Sequence, residues 1–133
     1  MSITKIFDAL GISKWRAIWT IVRRGMPGLM SLVAEAFTNL LKKADKEKLK
    51  FYADLSDRIA KFINYGIELF IDDPAYRSAG TATVNGLQAF AKHVSDGEYT
   101  QMELSEDIEF IEACIDLWKE TTRCVESGSP LLP

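Results

Sequence analysis

Apolar residues recur at three- and four-residue spacing along most of the chain, and strict apolar/polar alternation is absent, so the pattern predicts helices and no strand. The last segment is the clearest. Ile108, Ile111, Ile115, Trp118, Thr122 and Val125 step by three and four, and Phe110, Cys114 and Leu117 widen the arc. Glu109, Glu112, Asp116, Lys119, Glu120 and Arg123 fall on the opposite side. An apolar arc of about half the circumference suits a bundle groove better than a two-stranded coiled coil, which needs two positions in seven. The heptad-like spacing leaves homodimerisation open. Thr100 and Glu103 have the spacing of a capping box, so the helix is expected over 101–126.

Earlier segments obey the same logic. Residues 3–10 predict a short helix ended by Gly11, and Ser13 can cap a second one at 14–24, closed by Gly25. Pro27 suits a first helical turn, and Leu29, Leu32, Val33, Ala36, Phe37, Leu40 and Leu41 draw one stripe over 28–43. Tyr52, Leu55, Ile59, Phe62, Ile63, Leu69 and Phe70 draw the next over 46–71, with Gly66 allowing a neighbour close. Between them lies the lysine-rich "KKADKEKLK", where Asp45 could cap a new helix or the helix could run on. "IDDP" is a terminator, because Asp73 precedes Pro74. Residues 74–99 carry Gly80, Gly86 and Gly97 and predict a loop, then a weaker helix over 82–95 with Val84, Leu87, Ala91 and Val94 on one side. The expected fold is an all-α antiparallel bundle of four main helices, plus a short N-terminal helix and a weaker one. It forms a single domain over 1–126 with a flexible tail at 127–133.

"KWRAIWTIVRRGMPGLM", Lys14 to Met30, stands apart. On a helical wheel Ile21, Ile18, Val22, Trp15 and Trp19 share one arc, with Lys14 at one margin, Arg23 and Arg16 at the other and Arg24 opposite. One placement buries the indoles in the bundle and lets the basic side chains snorkel to water. Another offers Lys14, Trp15, Arg16, Trp19, Arg23 and Arg24 to a partner, since Trp and Arg are the residues most enriched at interface hot spots. Interfacial Trp with flanking cations also suits a membrane surface, and stacking aromatics with basic residues suit nucleic acid.

Composition narrows these options. The 133 residues are 47% hydrophobic and 26% charged, ordinary for one globular domain. Net charge is −3, yet residues 1–51 hold ten Lys and Arg against four Asp and Glu, while 52–133 hold six against fifteen. Such a dipole could steer partners or drive head-to-tail self-association, unless folding interleaves the halves and cancels it. A pI near 5.2 opposes nucleic-acid binding. The apolar run Ala17 to Val22 is too short for a secretory signal, and no uncharged stretch approaches the roughly 20 residues of a membrane span. Cys114 and Cys124, about 15 Å apart along one helix, cannot pair and suit a reducing cytoplasm.

Catalytic chemistry is thin. His93 is the only histidine, which removes zinc sites built on paired histidines, and it is read as a cation at a helix C-terminus. Glu109, Glu112 and Asp116 share a solvated face without histidine, and "SAGTATVNG" lacks phosphate-loop glycine spacing. No metal, no cofactor and no enzymatic activity are therefore expected. The expectation is a cytoplasmic, non-enzymatic adaptor, accessory or inhibitor subunit with a protein partner, acting through the basic aromatic helix and the acidic last helix. Homo-oligomerisation stays open; a peripheral membrane-binding protein is the alternative and a nucleic-acid-binding accessory protein the third.

Overall fold

A computed structural model describes residues 3–43, 46–97 and 100–127 of the chain. Five α-helices succeed one another, α1 (Ile3–Leu10), α2 (Lys14–Lys42), α3 (Leu49–Phe70), α4 (Pro74–Ser95) and α5 (Gln101–Ser127), with no strand among the described residues. The fold is an all-α bundle. α2 packs on α3, α3 on α4, α4 on α5 and α5 back on α2, so the four long helices close a ring; α1 covers α2 and α3. Beyond Ser127 the expected tail lies outside the described residues.

Local chemistry explains the boundaries. Gly11, at φ 73°, ends α1 in a conformation that suits glycine. Ser13 Oγ accepts the N–H of Arg16 at 3.1 Å and starts α2. α2 comprises two helical segments meeting at Gly25, whose φ of 73° and ψ of −171° break the helix just before Pro27 opens the next first turn. The expected helices 14–24 and 28–43 are thus both present and joined at a bend. The second ends at Lys43, and a short 3₁₀ turn at Lys46–Lys48 precedes α3, so the helices on either side of the lysine run are separate. Asp45, the expected cap there, lies outside the described residues.

The region from residue 74 differs from expectation. The loop and weaker helix anticipated there are one 22-residue helix. Asp73 does more than end the preceding segment, because it also caps α4: its Oδ1 accepts the Tyr76 N–H at 2.8 Å, and Pro74 occupies the first turn. Small residues that read as flexible instead allow close packing. Ala79, Gly80 and Thr83 are buried, and a Cβ on Gly80 would sit 3.3 Å from the indole nitrogen of Trp118 and still closer to the tip of Ile67. Thr83 ties its hydroxyl to the Ala79 carbonyl at 3.0 Å, satisfying it inside the core.

Each long helix supplies apolar side chains that are fully enclosed: Met30, Val33 and Phe37 from α2, Leu55, Ile59 and Ile63 from α3, Tyr76, Leu87 and Phe90 from α4, Ile111, Ile115 and Trp118 from α5. Burying each such side chain is favourable by about 1.5–3 kcal/mol relative to leaving it in water. Tyr76 meets Trp118 edge to face, with ring centroids 5.4 Å apart. Across α3 and α4 the buried Ser56 hydroxyl donates to the Leu87 carbonyl at 2.7 Å. Gly66 admits Met30, whose sulfur lies 2.5 Å from where a Cβ would be. Leu69 and Phe70, expected on the α3 stripe, are exposed. The four-residue step from Ile59 to Ile63 continues through Ile67 to Ile71, which is buried from extended backbone just past the helix end.

Candidate interaction surface

The segment 14–24 of α2, here called the arm, carries all six residues expected to meet a partner. Ala17 is its only buried residue and Thr20 is half-buried. Trp15 and Trp19 each lie two residues from Ala17, so at about 100° per residue they point about 160° away from it. Trp15 is 79% exposed, Val22 72% and Trp19 61%, and Ile18 and Ile21 are exposed as well. Burial of these indoles in the bundle is therefore incorrect: the small alanine faces the bundle and the large apolar side chains face out. The reason is local, because Ala17 is the one small apolar residue on that side and the break at Gly25 frees the arm's rotation from that of the second α2 segment.

Lys14, Arg16 and Arg23 are exposed around this apolar arc, and Arg24 is exposed on the other side of the helix. The Arg23 guanidinium lies over the Trp19 ring, 5.6 Å from its centroid, a cation–π arrangement. Between Asp8 and Glu35 the sequence has no acid, so the surface of the arm is uniformly basic. The lysine run does not extend it. Lys42 and Lys43 lie at the far end of α2, about 27 Å from Arg24 at 1.5 Å per residue, and Lys42 Nζ pairs with Glu112 Oε1 at 2.8 Å.

α5 differs from its predicted faces in two ways. Glu112 and Lys119, placed on the solvent side by the wheel, reach α2 as ion pairs with Lys42 and with Glu35, the latter at 3.3 Å. Phe110 and Leu117, placed in the buried arc, are 57% and 61% exposed. Among the side chains described, the buried stripe is Leu104, Ile111, Ile115, Trp118 and Thr121, which leaves Phe110 and Leu117 at its margin; Thr122 and Val125, expected on it, lie outside them. Phe110 rests on α4, where a Cβ on Gly86 would come 3.2 Å from its ring.

Among the described residues, no group of His, Cys, Asp and Glu gathers that could hold a metal ion. His93 Nδ1 lies 3.0 Å from Asp107 Oδ2, joining the last turn of α4 to α5. That hydrogen bond and the aspartate's charge hold the imidazole pKa above its usual 6.5. Cys114 carries a free thiol whose pKa is pushed up by burial, keeping it protonated and unreactive. The groove beside Ile6 and Phe62 is lined by Asp54, Arg58, Asp57 and Lys61, charges already matched as neighbours one turn apart on α3. No helix among the described residues is long and apolar enough to cross a membrane. Comparison with known proteins finds no matching family model, no matching curated protein and no matching solved structure.

Proposed function

We propose that this chain is a non-enzymatic cytoplasmic interaction protein, an adaptor, accessory or inhibitor subunit, that docks a protein partner through the arm. The observation that carries it is the outward aim of Trp15, Trp19 and Val22 from a helix that gives the bundle only Ala17. Contiguous exposed apolar surface rimmed by charge is the mark of an interaction site. Indoles and guanidiniums are the side chains most enriched where binding energy concentrates. A cytoplasmic location fits the free thiol of Cys114. The bundle core closes without the arm's large side chains, which leaves them available.

Site-specific photocrosslinking tests the proposal. A benzophenone side chain at position 22, in the living source cell, should give one discrete protein adduct that Trp15→Ala/Trp19→Ala abolishes. Absence of any protein adduct, together with arm-dependent sedimentation on anionic vesicles or salt-sensitive binding to nucleic acid, would overturn it in favour of those surfaces.

A further inference from the structure

We infer that the partner of the arm is the outer face of α5 on a second copy of this chain, giving a head-to-tail assembly. This rests on the docking role of the arm and names its occupant. Two exposed apolar ridges are present and their charges are opposite. On the arm, Trp15, Ile18, Trp19 and Val22 are edged by Lys14, Arg16 and Arg23, with no acid. On α5, Phe110, Ala113 and Leu117 lie along one side, with Glu103, Glu106, Glu109 and Asp116 exposed around them. α5 as a whole carries eight acids against two bases. Folding pairs part of the sequence's charge asymmetry, as in Lys42 with Glu112, but the arm and the outer side of α5 keep opposite signs.

The two ridges also match in length. Trp15 to Val22 and Phe110 to Leu117 are both seven steps along a helix, about 10 Å. On the α4 side of the α5 ridge the Phe110 ring lies over Gly86, with the small Ala82 and Ala89 one turn either side of that glycine. Within one chain the ridges stand on different helices, and the arm's tryptophans are exposed. The contact is thus satisfied between copies. A face that meets a different face is heterologous, so each added copy presents a fresh arm and a fresh ridge, and the assembly closes as a ring or grows.

Sedimentation on the full chain tests this with two variants. Trp15→Ala/Trp19→Ala removes the arm's anchors; Glu106→Lys/Leu117→Lys turns the α5 ridge basic. Both leave the core untouched, which unchanged helicity and unchanged emission from buried Trp118 will verify. In low salt the wild-type weight-average mass should climb past that of two chains with concentration, and each variant alone should stay monomeric. Mixed, the two variants should form a one-to-one dimer and nothing larger, because one intact arm and one intact ridge remain between them. A wild type that is monomeric at every concentration overturns the inference, and so does self-association that persists in Glu106→Lys/Leu117→Lys, which would mean arm against arm. A monomeric wild type with a discrete foreign protein adduct from position 22 overturns this inference alone and leaves the docking role standing; one that sediments on phosphatidylserine vesicles without protein adducts overturns both.

Discussion

Lys42 Nζ of α2 lies 2.8 Å from Glu112 Oε1 of α5, and seven residues back along α2 the polarity reverses, with Glu35 bonded to Lys119 seven residues further along α5. The two pairs therefore encode an antiparallel register, since a slip of two turns would set Glu35 against Glu112. Exposed pairs are worth about 0–1 kcal/mol each. Lys42→Glu should lower stability by about 0.5–1 kcal/mol in urea unfolding, and adding Glu112→Lys should restore most of it. Equal losses that simply add would show that the pair has no coupling.

The outward indoles have a direct optical consequence. In a Trp118→Phe variant diluted far below any self-association, Trp15 and Trp19 alone report. Their emission should be red-shifted and readily quenched by iodide, whereas the wild type adds a blue component from Trp118, which is fully buried. Blue emission from the dilute variant would place the indoles inside the bundle.

Gly25 joins the arm to the rest of α2 in a backbone conformation that side chains strongly disfavour. Space is not the obstacle, since a Cβ there would meet only Pro27 Cδ, at 3.6 Å. Gly25→Ala should cost about 1–3 kcal/mol from φ/ψ strain alone. The same substitution with alanine of D configuration, for which this conformation is an ordinary extended one, should cost little. Equal destabilisation by both enantiomers would contradict the backbone explanation.

His93 titrates above 6.5 because the protonated ring donates to Asp107 and feels its charge, with Glu103 and Asp96 adding smaller favourable fields. A raised folded pKa means that the pair stabilises the fold fully below the unfolded value of 6.5 and that this contribution is lost as pH rises through the folded value. The imidazole resonances should show a midpoint above 6.5 that Asp107→Asn moves back down. An unmoved midpoint would mean that the contact does not form in solution.

Helix positions were legible because their signals are local: Gly11 and Ser13 around α2's start, Gly25 with Pro27 at its bend, Thr100 at the head of α5, whose Oγ1 accepts the Glu103 N–H at 3.1 Å. The first half of α4 was not legible, since Gly80 looks permissive until Trp118 and Ile67 are known to press on it. The six arm residues share one exposed helical segment, the one that their spacing predicts. Their outward aim was beyond the sequence, because an amphipathic helix reads identically whether its apolar side meets its own bundle or something else. Phe110 and Leu117 went astray for a related reason: a wide apolar arc does not reveal which of its edges the neighbouring helix reaches.

The break at Gly25 separates two kinds of selection along one chain. Residues beyond it hold the bundle together, and a large-to-small change at Phe37 or Ile59 would cost about 2–5 kcal/mol. Trp15, Trp19 and Val22 before it stand mostly in water, so they can be exchanged without unfolding the protein. The arm is thus free to change in step with the surface it binds, while the buried core need not change with either.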